Sequence, residues 1–242
     1  MKMTEQKGDT NRMECYSFSK AGRFHLKNGE KNQDQVFGIR GSDRIAICLS
    51  DGCSTSPQGL AAAQQVVTLT AKMFFNNFYD LLLDDADTVR RKVSAALQPA
   101  LRAFAAQQGI QPETLAATLI VFAADSSGRY LCAHLGDGCV LMQPPDAEAS
   151  AFSTISSPSR GIVPHSTYLT MNADLMQHLK VYQSLRPSHG KFLLMTDGAD
   201  DLLRSEPQEA HLPCPFSGPE LEHYLDSQQP LDDCSAAVIT IP

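Results

Sequence analysis

The apolar residues of this chain fall into short runs of about six residues, several of them ending at glycine, serine or aspartate. Runs of that length suit strands; a membrane-crossing helix needs roughly 20 apolar residues in a row. Arg44–Ser50 (RIAICLS), Leu119–Ala124, Arg129–Leu135, Val140–Gln143, Phe192–Thr196 and Ala236–Ile241 read as strands, with Ser166–Met171 as a further candidate. Ser126-Ser127-Gly128 and Gly136-Asp137-Gly138 separate the middle runs so closely that an antiparallel meander is predicted there.

Two segments carry apolar residues at helical spacing. From Leu60 onward these are Ala63, Val67, Ala71, Phe74, Phe75 and Phe78, and then Val89, Val93, Ala96, Leu97, Leu101 and Phe104. Each stripe gives a helix one face for a sheet, and Arg90, Arg91 and Lys92 lie on the solvated side of the second. Short helices are predicted after Asp197 and around Leu221–Leu225. Strands and helices come in clusters and do not alternate strictly, which gives an α+β arrangement with helices covering antiparallel sheets. Pro144–Pro164, rich in Ser, Pro and Ala, reads as an irregular excursion.

The 242 residues, 43% of them hydrophobic, suffice for one large domain. Met1–Asn11 is polar and lacks the apolar stretch of a secretory signal. Residues 1–14 are therefore set apart as a polar extension, and 15–242 as a single domain of a soluble, cytoplasmic protein. The net charge of −7 argues against a grip on nucleic acid, which needs clustered Lys and Arg, and nothing marks a membrane segment. The seven cysteines (Cys15, Cys48, Cys53, Cys132, Cys139, Cys214 and Cys234) are odd in number and form no C-x-x-C pair. They read as buried free thiols in a reducing compartment. None has an arginine six residues downstream, so a thiolate nucleophile with a phosphate cradle has no support.

The acids are placed more tellingly. Asn32-Gln33-Asp34 precedes Val36-Phe37, and Leu49-Ser50-Asp51-Gly52 and Met195-Thr196-Asp197-Gly198 each end an apolar run. Asp232-Asp233 precedes the last one. A carboxylate at a strand end is rigidly held yet reaches the mouth of the sheet. Several converging there repel one another unless cations neutralise them. Oxygen-rich sites of that kind suit Mg²⁺ or Mn²⁺. A lone Asp-Gly is mostly just a turn, so the argument rests on the whole set.

In order and spacing the set resembles the metal-dependent serine/threonine phosphatases of type 2C, especially their small bacterial branch. His25, Gly29 and Asn32-Gln33-Asp34 are similar to the H-x-x-x-G-x-x-N-Q-D form of the first acidic motif. Leu49 to Ser54, followed by a Gly-Leu-Ala-Ala-Ala helix start, resembles the second motif. Ala117-Thr118-Leu119, His134 to Gly138, Phe192 to Asp201 and Asp232 to Ser235 resemble later motifs, in family order over about residues 17 to 241.

The resemblance implies two antiparallel sheets forming a sandwich flanked by helix pairs, in α-β-β-α layers. It implies that Asp51 bridges two Mn²⁺ or Mg²⁺ ions while the Gly52 carbonyl binds one of them. Asp197 and Asp232 would complete the first ion's shell, and Asp34 would hold a water of the metal shell. Asp137, Asp197 and Asp201 would form a looser third site. The reaction implied is phosphate monoester hydrolysis, with Asp51 and Asp197 central and water attacking phosphorus in line. The substrate would be a phosphorylated protein, supplied by a cognate Ser/Thr kinase.

The chain also departs from the pattern. Gln33 stands where many members have a metal-binding glutamate, and Cys53 where eukaryotic members have a histidine proposed as general acid. The phosphate-gripping arginine of many relatives has no clear match, leaving Arg23, His25 and Lys31 as candidates, with His25 either facing the ligand or serving as a structural hydrogen-bonding residue. His134 reads as a core or rim histidine and His165 as a loop residue. Two other readings stay open: a non-catalytic module keeping the fold to bind a partner, and a metal-dependent phosphodiesterase or nuclease.

Overall fold

A computed structural model describes residues 12–145, 152–161, 166–204 and 217–242. The long strands are apolar on both faces because each sheet is covered on both sides. Strand β3 (Arg44–Ser50) turns Ile45, Ile47 and Leu49 to one side, and Ala46 and Cys48 to the other, all buried. Strand β4 (Leu119–Asp125) divides in the same way, with Ile120, Phe122 and Ala124 opposite Leu119, Val121 and Ala123. This is why the sequence shows unbroken apolar runs with no polar alternation.

Completing that sheet are β2 (Gln35–Arg40), β5 (Tyr130–Leu135) and β8 (Lys180–Ser184), in the order β2-β3-β4-β5-β8. The other sheet, also five-stranded, runs β1-β10-β9-β6-β7. Its strands are β1 (Glu14–Lys20), β6 (Cys139–Gln143), β7 (Ser153–Ser156), β9 (Gly190–Met195) and β10 (Cys234–Ile241). All pairings are antiparallel. Between the sheets lies a core that includes Ile47, Phe122, Phe192 and Ile239. The helices α2 (Gly59–Asn76), α3 (Phe78–Leu83) and α4 (Ala86–Gln108), with Leu175 of the short α5 (Leu175–His178), bury their apolar residues on the outside of the first sheet. Helices α6 (Asp197–Arg204) and α7 (Gly218–Gln228) cover the second through Ala199, Leu203, Leu221 and Leu225. The layers are α-β-β-α, an α+β fold with two antiparallel sheets.

The structure changes several details of the sequence reading. The expected meander holds only for β4 and β5; β6 leaves it for the other sheet, beside β9. The switch occurs at Gly136, whose φ of 118° suits glycine and whose Cβ would lie 2.7 Å from Thr118 Cγ2. Ser166–Met171 is not a strand but contains an isolated bridge between Arg160 and Thr167; the pairing partner of β5 is β8. The first helical stripe breaks at Asn77, so Phe78 belongs to α3. Strand β1 and the short β7, inside the Ser/Pro-rich excursion, lack a sequence signature of their own. No helix among the described residues is long and apolar enough to cross a membrane. Six cysteines are free thiols. Cys214, His165, residues 1–11 and parts of the 144–164 excursion lie outside the described residues.

His134 is buried in β5, with Nδ1 2.7 Å from Ser156 Oγ on β7. It ties the rims of the two sheets. Burial first, and then the Lys180 charge, push its pKa down to about 3. An unfolded His titrates near 6.5, so the unfolded state takes up a proton first as pH falls and folded stability drops. The loss is about 1.4 kcal/mol per pH unit between those two values. Urea titrations of the parent and of His134→Gln at pH 7.5 and pH 5.0 check this: the gap in stability between them should shift towards the variant in acid.

Candidate metal centre

Antiparallel pairing dictates which strand ends meet. Register sets Lys20 opposite Cys234, Ala236 opposite Met195, and Met195 opposite Cys139 in one sheet. In the other it sets Gln35 opposite Ser50, Leu49 opposite Ile120, and Leu119 opposite Leu135. Asp34 precedes β2, Asp51 follows β3, Asp137 lies between β5 and β6, Asp197 follows β9, and Asp232 precedes β10. All five therefore open at one end of the sandwich.

Backbone and hydroxyl bonds lock this end. Asp51 N–H donates to Thr118 Oγ1 at 2.9 Å, and Thr118 N–H returns to the Asp51 carbonyl at 2.8 Å. Gly52 N–H reaches the Gln33 carbonyl at 3.2 Å, which joins the second acidic segment to the first. Thr196 Oγ1 donates to Asp34 Oδ2 at 2.7 Å and itself accepts from Ser235 N–H at 3.0 Å, so one hydroxyl links three segments. Asp34 N–H bonds the Asn32 side chain at 2.9 Å.

The electrostatics are those of crowded carboxylates. Burial, and then the charges of Asp34, Asp197, Asp137 and Asp232, hold the Asp51 carboxyl far above the usual carboxylate range. Burial, then Asp137, Asp34 and Asp232, raise Asp197 to about 7. Burial raises Asp34 to about 7 against the Thr196 hydrogen bond. Asp137 is raised by burial and by Asp201, and eased by Thr167 and Arg160. Asp34 Oδ1 is buried with no donor to meet it among the described residues. A buried acceptor facing other carboxylates, in a mouth of oxygen donors, fits a hard divalent cation.

The two neighbouring aspartates before β10 point to different duties. Asp232 is exposed toward the mouth, while Asp233 is buried. Asp233 accepts N–H groups from Gly22 at 2.8 Å and Gln33 at 2.5 Å, and its Oδ1 lies 2.8 Å from His25 Nδ1. His25, Asp232 and Asp233 offer ligand atoms within 4.8 Å of one another. Both Asp233 oxygens are already engaged, which makes it a clamp holding the 22–25 and 33 segments. Burial would lower the His25 pKa, but Asp233 first, then Asp232 and Glu30, raise it.

The structure thus brings Asp34, Asp51, Gly52, Asp137, Asp197 and Asp232 to one mouth. It places Asp201 on α6 one turn beyond Asp197, with its charge acting on Asp137, and His25 beside the mouth on the Asp233 clamp. Sequence reasoning missed the separate role of Asp233, for which the adjacent doublet was a signal, since neighbouring side chains entering a strand face opposite ways. It also missed Arg160, in the irregular excursion, and Thr167, just beyond it, which act on Asp137 and carry no signal of their own. Cys53 is half-buried behind Gly52, with Sγ 3.2 Å from Thr55 Oγ1.

Four layers with this mouth place the chain among phosphatases of the serine/threonine type in fold. A bacterial serine phosphatase matches with a TM-score of 0.68 at 15% identity, over 96% of this chain and 98% of that one. RsbX, crystallised in complex with magnesium, matches with a TM-score of 0.63 at 14% identity, over 98% and 99%. The serine/threonine phosphatase Stp1 from Staphylococcus aureus gives 0.66 at 14%, over the full length of both chains. At these identities the likeness is one of fold. No curated protein matches the chain in sequence. The sequence profile described as Protein phosphatase 2C matches residues 21–231, and the chain belongs to that metal-dependent family.

Proposed function

We propose that this protein removes phosphate from phosphoserine and phosphothreonine residues of proteins, at a centre of two divalent cations, Mn²⁺ or Mg²⁺, with a looser third. The observation that carries the reading is the crowding of Asp34, Asp137, Asp197 and Asp232 around Asp51, from segments spread along the chain. Asp51 would hold both ions and the Gly52 carbonyl one of them, Asp197 and Asp232 would complete the first, and Asp137, Asp197 and Asp201 would hold the third. Bound there, such ions supply Lewis acidity that lowers the pKa of water and neutralises charge on the phosphoryl group.

The chain's own side chains do the rest. Asp34, fixed by Thr196 and Asn32, presents Oδ1 as an acceptor that orients a water at the mouth. His25, whose pKa Asp233 raises against its burial, is held beside the mouth, where its protonated form would place a positive charge next to the incoming phosphate. The setting is cytoplasmic, with a Ser/Thr kinase supplying the substrate, and without nucleic acid or membrane.

With Mn²⁺ the full chain is expected to release phosphate from an aryl monoester and from a phosphothreonine peptide, and EDTA should abolish both. Turnover that survives EDTA, or faster cleavage of a bis-aryl diester than of the monoester, would sink the reading. Gln33 motivates a second one, a binding module with weak or no catalysis: its Oε1 is buried without a partner among the described residues. Failure of Mn²⁺ to bind in a calorimetric titration at millimolar metal selects that alternative.

A further inference from the structure

Beside the mouth lies a feature that the metal chemistry does not use. The short helix α1 (Arg23–Asn28) buries His25 alone and leaves Phe24 62% exposed. Across from it, Leu231 is 69% exposed. The two segments are joined backbone to backbone: Arg23 N–H donates to the Pro230 carbonyl at 2.9 Å and Phe24 N–H to the Leu231 carbonyl at 3.0 Å. They are packed so closely that a Cβ on Gly22 would lie 2.2 Å from the Asp232 carbonyl carbon. Each apolar residue immediately precedes a residue of the site, His25 in one case and Asp232 in the other. Exposing two large apolar side chains on a rigid two-segment ledge does nothing for folding.

The chain carries −7 overall, yet three cations, Arg23, Lys27 and Lys31, are exposed along the ledge segments, with Glu30 and Asp232 as the exposed acids. None of those three cations forms an ion pair among the described residues. These segments thus combine the exposed apolar side chains of Phe24 and Leu231 with three cations free of ion pairs among the described residues, and each of those two apolar residues is one position from His25 or Asp232.

We propose that this ledge selects substrates: it takes the flank of a phosphorylated segment that has a large apolar side chain next to the phosphoresidue and acidic residues beyond it. The proposal rests on the phosphatase reading and names the substrate class of that same site. The apolar side chain covers Phe24 and Leu231 while the phosphate enters the mouth, and the acidic flank meets Arg23, Lys27 and Lys31.

The test uses two fluorescein-labelled acidic phosphothreonine peptides that differ only in Leu or Gly beside the phosphothreonine. Anisotropy titrations with Mn²⁺, on versions that carry a non-hydrolysable phosphonate in place of the phosphate ester, read binding without turnover, and p-nitrophenyl phosphate with Mn²⁺ reads the metal chemistry and the integrity of the fold. The parent should bind the Leu peptide about tenfold more tightly than the Gly peptide, the scale of an anchor residue in an interface. Phe24→Ser/Leu231→Ser should bind both alike and keep the parent's kcat/KM on p-nitrophenyl phosphate. Phe24→Leu/Leu231→Met, which keeps the surface apolar, should retain the preference. Equal binding of the two peptides by the parent, or a preference unchanged in the serine double variant, overturns the ledge. A parent inert towards p-nitrophenyl phosphate that still shows the Phe24- and Leu231-dependent preference upholds the ledge and removes the hydrolase reading instead.

Discussion

Asp51→Asn is expected to lower kcat/KM for p-nitrophenyl phosphate with Mn²⁺ by at least about 10³-fold, roughly 4 kcal/mol of transition-state stabilisation. The substitution keeps the shape of the side chain and the Asp51 backbone bonds to Thr118. It removes the charge on which four other carboxylates press. In the metal-free protein that charge is a burden, because burial and its neighbours already disfavour it. The metal-free variant should therefore unfold at the same temperature as the parent or higher. A purely structural Asp51 would give the opposite pairing, with stability falling and turnover only modestly affected. Steady-state kinetics and thermal melts in EDTA read the two halves independently. Near-parental turnover in a well-folded Asp51→Asn protein would remove the proposed centre.

The second large effect is that of the metal itself. Saturating Mn²⁺ at about 100 times its Kd adds roughly 2.7 kcal/mol per site, about 5–10 °C in Tm for a chain of this size. The pH dependence has a definite sign. Asp34 and Asp197 are raised to about 7 in the folded, metal-free state, against about 3.8 when unfolded. Between those values the folded state holds the extra protons, so metal-free stability decreases as pH rises from about 4 and levels off above 7. Cations replace those protons. The gain in Tm from Mn²⁺ should accordingly be larger at pH 8 than at pH 6. Melts with EDTA and with Mn²⁺ at both pH values check it. A gain that is flat in pH, or larger in acid, would detach Asp34 and Asp197 from the metal.

The parts of the fold that could be read directly were those with a strong local pattern. Leu119–Asp125 and Arg44–Ser50 are apolar enough to be strands in any buried sheet, and the Val89–Phe104 stripe admits only a helix with one face packed. Strand β8 is polar at intervals because it edges its sheet, and β7 lies in a segment whose composition resembles a loop; both exist through pairing with distant strands. The Gly136-Asp137-Gly138 turn looked like a hairpin because a hairpin and a sheet-to-sheet crossing make the same local demand on glycine.

The site divides along the same line. The identity of the acids, their position at strand ends and their order along the chain are properties of the one-dimensional pattern, and together with the family resemblance they pointed to Asp34, Asp51, Asp137, Asp197 and Asp232. Which of two adjacent aspartates is buried, that Thr196 binds Asp34 across 162 positions, and that the Phe24 backbone is bonded to that of Leu231 were decided only when the chain folded. Carboxylate repulsion and hydrogen bonding act through space over a few ångströms, and no local pattern records which distant segments the sheet register will bring within that range.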